Sequence, residues 1–258
     1  MPMELFQREY GERAAPPLLL LHGLFGSSVN WHGIARQLAG SRRVLVPDLR
    51  NHGRSPGSGV MTYPAMAQDL NRLLDAADIG EVTLVGHSMG GKVAMWLALT
   101  RPERVRALVV VDIAPVAYRR RFDTIFDALA RLDLGRLEDR RQADALLADR
   151  LRDPALRGYL LQSLVRDPEG WRWRFQLPVL AASLDEILGF PDADGCRYPG
   201  ASLFLYGTNS DYVSGEHLPA IHELFPLARL RAVSGAGHWV YADRPDAFVR
   251  ALESFLPA

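Results

Sequence analysis

Gly86-His87-Ser88-Met89-Gly90 narrows what this chain can fold into more than any other segment. It follows directly on the apolar residues 82–85 and leads into residues 92–100, whose pattern continues as a helix up to Arg101-Pro102. A G-x-S-x-G segment between a buried strand and a helix needs a sharp turn that strains the serine backbone. Side chains at the two flanking glycines would collide with the neighbouring turn. The turn lifts the Ser88 hydroxyl above a sheet, and the following helix aims its first N–H groups at the same spot, where negative charge is favoured. The rest of the chain must therefore provide a sheet covered by helices.

It does so with a regular alternation. Residues 18–21 and 44–46 are solid apolar runs, as expected of strands buried on both faces; residues 82–85 and 108–111 read as a third and a fourth strand, and the strand rhythm returns at 202–206 and 230–233. Residues 31–39 and 63–77 between them have helical spacing, with Met66, Leu70, Leu73 and Leu74 on one stripe of the second. An amphipathic helix is expected over about residues 246–256. Strands alternating with helices imply right-handed crossovers and a mostly parallel sheet. From about residue 116 to 199 no buried strand is expected, and Phe122, Ile125, Phe126 and Leu129 fall at helical spacing. This segment reads as a helical cap over the carboxyl ends of the strands, where open α/β sheets bind ligands. The expected division is residues 1–115 for the first part of the core, 116–199 for the cap and 200–258 for the second part.

Composition removes other function classes. Thirty basic residues offset thirty acidic ones, so no nucleic-acid footprint and no basic membrane-binding face are expected. The single cysteine, Cys196, excludes an intramolecular disulfide and a cysteine-held zinc. Lys92 is the only lysine, which reads as genomic bias toward arginine. The first eleven residues lack the features of a secretory signal, and the apolar runs are far too short to span a bilayer. A cytoplasmic monomer or homodimer without metal or cofactor is the expectation.

Ser88 needs a base, and His238 in Gly235-Ala236-Gly237-His238-Trp239 follows the last strand on a glycine-flanked loop that can reach it. An oxyanion needs preorganised N–H donors. Met89 supplies one, and the loop His22-Gly23-Leu24-Phe25-Gly26 the other, with Leu24 preferred to Phe25. The Phe25 and Trp239 side chains are candidates for the substrate pocket. Asp48-Leu49-Arg50-Asn51-His52-Gly53-Arg54-Ser55 reads as a brace around the site, and His87 as a residue that shapes the elbow. The aromatic residues Phe122, Phe126, Trp171, Trp173 and Phe175 suggest an apolar acyl pocket under the cap, and Arg119, Arg120 and Arg121 an anion-attracting entrance. The order Ser, Asp, His leaves the acid open between Asp112, which ends the strand beside the nucleophile strand, and Asp211, after residues 202–206. Asp211 lies one residue beyond the usual spacing, at which Ser210 stands instead.

HGLFGS, DLRNHGRS, GHSMGG and GAGHW occur in this order across the whole chain, which resembles the α/β-hydrolase superfamily. GHSMGGKVAM, VVVDIAP and GTNSDYV are similar, more narrowly, to small bacterial acyl esterases of the YbfF type. The resemblance implies an α/β-hydrolase fold with a sheet of about eight strands and a helical cap inserted after Asp112. It also implies cofactor-free hydrolysis of carboxylic esters or thioesters of small-molecule substrates. Within it Ser88 matches the nucleophile, His238 the base, Leu24 and Met89 the oxyanion positions, and Asp112 the acid, with Ser210 near the histidine. The same residues suit perhydrolysis, acyl transfer or carbon–carbon bond hydrolysis, and a scaffold without catalysis is the other alternative. A serine at position 88 excludes chemistry that proceeds through an aspartate–alkyl ester.

Overall fold

The computed structural model describes residues 1–256. Its first half builds β1 (Gln7–Tyr10), β2 (Pro17–Leu21), α1 (His32–Leu38), β3 (Arg43–Pro47), α2 (Tyr63–Ala76), β4 (Val82–His87), α3 (Met89–Thr100) and β5 (Val105–Val111). An insert follows, with α4 (Asp123–Arg131), α5 (Arg140–Ala148), α6 (Pro154–Leu161), β6 (Leu164–Asp167), β7 (Gly170–Trp173), α7 (Leu177–Ala182) and α8 (Leu184–Leu188). The sheet resumes with β8 (Ala201–Gly207), α9 (Leu218–Leu224), β9 (Ala228–Val233), α10 (Val240–Asp243) and α11 (Pro245–Glu253).

One sheet runs through the molecule in the order β1-β3-β2-β4-β5-β8-β9. β1 is antiparallel to β3, and every other pair is parallel. Side chains alternate across such a sheet. Leu19 and Leu21 of β2 face one layer, with α2 and α3, while Leu18 and Leu20 face the other, with α1 and α11. All four leucines are completely buried, which explains their unbroken apolar run. Each contributes about 1.5–3 kcal/mol by leaving water.

The sheet has seven strands where eight were expected. Residues 1–6 form no strand, and two of their N–H groups go to side chains: Met3 donates to Asp69 Oδ1 at 2.6 Å and Phe6 to Ser55 Oγ at 2.9 Å. β1 carries no apolar run because it lies at the edge and is half-buried. The insert is helical except for the hairpin β6–β7, whose register pairs Leu164 with Trp173 and Asp167 with Gly170. Its strands are half-exposed and short, so they leave no buried-strand pattern.

β4 and α3 meet at Ser88, whose φ of 51° and ψ of −121° are the strain expected of the elbow. A Cβ on Gly86 would lie 2.3 Å from the Gly90 carbonyl oxygen, and one on Gly90 would lie 2.5 Å from that of His22. Both positions therefore exclude any side chain, and β2, β4 and α3 approach closely enough to bring the loop after β2 beside the serine.

Candidate active site

Three strand ends deliver the central side chains. Ser88 follows β4, Asp112 follows β5 and His238 lies in the loop after β9. His238 Nδ1 is 2.7 Å from Asp112 Oδ2, so the ring donates from Nδ1 and leaves Nε2 free to accept a proton. Asp112 is buried and sits at φ 54°, a left-handed conformation that Asp tolerates better than most residues. The Gly207 N–H donates to its Oδ1 at 3.1 Å, and the Ser210 hydroxyl to its Oδ2 at 2.5 Å. Asp112 is thus a fully hydrogen-bonded carboxylate facing the histidine. Asp211 points elsewhere. It is exposed and bonded to Arg121 at 2.7 Å, and this guanidinium holds its carboxyl below the usual carboxylate range.

The imidazole of His238 is held by two rings. One face stacks on Tyr212, with ring centroids 4.0 Å apart, and Arg121 covers the far face of that tyrosine at 4.3 Å. The His87 ring lies tilted against it with centroids 4.6 Å apart, and its Nε2 donates to the His238 carbonyl at 2.9 Å. Burial drives the His87 pKa well below its ordinary value, so that ring is a neutral structural donor.

The loop after β2 is set by two more buried histidines. His22 donates from Nδ1 to the Gly23 carbonyl and accepts the Leu49 N–H at Nε2. His52 donates from Nδ1 to the Arg50 carbonyl and accepts the Phe25 N–H at 3.2 Å. Both are neutral. Burial lowers His22, and it pushes His52 down to about 3. Because the Phe25 N–H is engaged by His52, Leu24 is the remaining donor of the two that the sequence offered. The polar segment 48–55 is a brace, as expected. Asp48 accepts the N–H groups of Ser28 and Arg54 at 2.5 and 2.8 Å, and Arg50 forms a buried two-bond pair with Asp69 at 2.7 and 2.8 Å.

Ser88 and His238 line one cavity of about 410 Å³, together with Leu24, Phe25, His87 and Trp239. Of the cap aromatics named from the sequence, Phe122 borders it and the other four do not. Phe126 and Phe175 flank the Phe25 ring at 5.2 and 5.1 Å, and Trp173 stacks on Phe175, so they fasten the insert to the core. Trp171 lies under Arg140 and Arg166. Two of the three arginines at the entrance are taken up by carboxylates, Arg120 by Asp123 and Asp185 and Arg121 by Asp211, and Arg119 is exposed.

Sequence reasoning missed Tyr212 and the role of Lys92. Lys92 is buried on α3, and its Nζ donates to the carbonyls of Val116, Leu188 and Gly189 at 2.8, 2.8 and 2.6 Å. One ammonium thus joins the entry and the exit of the insert to α3, the helix that follows Ser88. A sole lysine in an apolar helix next to the elbow was the available signal. Among the described residues no group of His, Cys, Asp and Glu is placed to hold a metal ion, and no helix is long and apolar enough to cross a membrane.

Residues 16–245 match the family described as alpha/beta hydrolase fold. The chain is 43% identical to esterase YbfF of Escherichia coli over 241 residues, 93% of this chain and 92% of that protein. It is 42% identical to the sn-1-specific diacylglycerol lipase ABHD11 of Xenopus laevis, over 95% of this chain and 81% of that one. Among solved structures, a marine microorganism esterase superposes with a TM-score of 0.94 at 36% identity, covering 98% of this chain and 100% of that one. With its sheet order, its strained serine elbow and these matches together, the chain belongs to the α/β-hydrolase fold family.

Proposed function

We propose that this protein is a serine esterase that cleaves a small carboxylic ester, or thioester, through an acyl-enzyme on Ser88. The observation that carries the proposal is the 2.7 Å pair between His238 Nδ1 and the buried Asp112 carboxylate, beside a cavity that both His238 and Ser88 line. Ser88 Oγ attacks the acyl carbon while His238 Nε2 takes its proton. The Leu24 and Met89 N–H groups receive the developing oxyanion. Asp112 fixes the tautomer of His238 and stabilises its cation, and Ser210 and Gly207 hold Asp112 in place. His238 then gives the proton to the leaving oxygen or sulfur. Water, activated by the same histidine, attacks the acyl-enzyme and releases the acid. Esterase and lipase names among the relatives support this chemistry.

The proposal includes residues 116–199 as a cap that closes the cavity, supported by the hydrogen bonds of Tyr159 to the Leu24 carbonyl and of Ser163 to the Phe25 carbonyl. It also includes a cytoplasmic setting, with which the exposed free Cys196 agrees, and a monomer or homodimer.

The test is covalent labelling. A fluorophosphonate probe should add one label to the protein, located on Ser88, and abolish hydrolysis of simple esters. Intact ester hydrolysis in the Ser88→Ala protein would refute the assignment.

A further inference from the structure

Two spaces meet at Ser88. The larger, of about 410 Å³, is lined by His238, Trp239, Tyr159, Leu156, Ile125 and Phe25 among others, and is largely apolar. The smaller, of about 30 Å³, lies on the Met89 side, against Tyr63, Lys92, Ile113, Tyr118 and Ile187, and His238 does not border it. Leu24, Ser88, Phe122 and Tyr212 border both, so Phe122 and Tyr212 act as the partition.

The chemistry of the tetrahedral adduct sorts substrate parts between these spaces. Its carbon carries Ser88 Oγ, the oxyanion, the leaving oxygen and the acyl chain. The oxyanion is held by the N–H groups of Leu24 and Met89, both of which border the small space. The leaving oxygen must lie within reach of His238, because that ring protonates it. The alcohol therefore extends into the large cavity, and the acyl chain is left with the small one. A space of about 10–15 Å³ accepts one water-sized group, so about 30 Å³ accepts roughly two heavy atoms.

The walls of the small space also decide polarity. Lys92 directs its three donors to the carbonyls of Val116, Leu188 and Gly189. Tyr63 donates to the Ile187 carbonyl at 2.5 Å. Tyr118 donates to the Tyr212 carbonyl at 2.6 Å and accepts the Ala114 N–H at 2.8 Å. Lys92, Tyr63 and Tyr118 thus keep no free donor for a carboxylate or hydroxyl on the acyl chain, and burying such a group without a partner is costly.

We infer that the enzyme is selective for short, apolar acyl groups, acetyl or propionyl, on bulky apolar alcohols, and that Phe122 sets the acyl limit as the wall between the two spaces. The inference rests on the esterase proposal above and names its substrate class. Removing the Phe122 side chain joins the small space to the large one and should admit longer acyl chains.

The experiment measures kcat/KM for two series of esters. One holds 4-nitrophenol constant and runs from acetate to octanoate. The other holds acetate constant and runs from methyl to benzyl to 2-naphthyl. The wild-type protein should prefer acetate to octanoate by roughly 100-fold. Rates on acetates should rise with alcohol size. Phe122→Ala should reduce the acyl preference below about tenfold, while Phe122→Leu, which keeps the wall, should retain most of it. Ile187→Ala, which deepens the small space from its far wall, is the second variant and should move the optimum toward butyrate or hexanoate even if Phe122→Ala does not fold. Preference of the wild-type protein for octanoate, or an unchanged acyl profile in folded Phe122→Ala and Ile187→Ala, would overturn the inference and leave the esterase proposal standing. Failure to cleave any ester, with no fluorophosphonate label on Ser88, would overturn both.

Discussion

His238 sits in a stack that local sequence does not announce. Its ring is stacked on Tyr212, and Arg121, from the entrance of the insert, covers that tyrosine. A stacked aromatic fixes the plane of the imidazole, and misplacing a catalytic group by about 1 Å can cost roughly 10²-fold in rate. Tyr212→Leu should therefore lower kcat by about that factor, whereas Tyr212→Phe, which keeps the ring, should stay near the wild-type value. Equal losses in both variants would show that the hydroxyl, not the stack, matters. Ser88 and His238 are legible in the sequence because each stands in a contiguous motif whose glycines report the turn. Tyr212 is not, because its partners come from distant parts of the chain. The acid is an intermediate case. Spacing alone left Asp112 and Asp211 open, and only the folded loop shows that Ser210 takes the inward position while Asp211 turns out to Arg121.

At the scale of elements, the central strands were readable because both of their faces are buried. The same rule hides β1 and the β6–β7 hairpin, which are half-exposed and carry mixed residues. The loop after β2, proposed to hold the oxyanion, is short, and its conformation depends on a neutral His52 accepting the Phe25 N–H. Its pKa, pushed down to about 3 by burial, lies below that of a histidine in the unfolded chain, about 6.5. Between these values the unfolded chain binds a proton that the folded one does not, so stability rises with pH across this window and is lost as pH falls. The contribution is about 1.4 kcal/mol per pH unit. In His52→Gln, which keeps an acceptor and cannot titrate, the slope of unfolding free energy between pH 6 and 4 should be shallower by about this amount. Urea melts at several pH values measure it, and identical slopes would mean that His52 is not buried as a neutral ring.

Across the whole molecule, buried charge ties separate segments together. Arg50 and Asp69 link the loop after β3 to α2, and Asp69 also receives the Met3 N–H. Removing one partner leaves the other charge buried, so Asp69→Ala should destabilise the fold by about 3–5 kcal/mol, read from denaturant unfolding. Asp69 is invisible as a structural acid in the sequence because it looks like any polar residue on a surface helix. The site itself is also a property of the whole sheet, since β4, β5 and the loop after β9 each bring one of its groups. Comparing kcat for folded Asp112→Asn, Ser210→Ala and Asp211→Asn tests that convergence most directly. Asp112→Asn should lose about four orders of magnitude, because the imidazole is left in the wrong tautomer. Ser210→Ala should lose far less, and Asp211→Asn should stay close to wild type. A large loss in Asp211→Asn with an active Asp112→Asn would contradict the account.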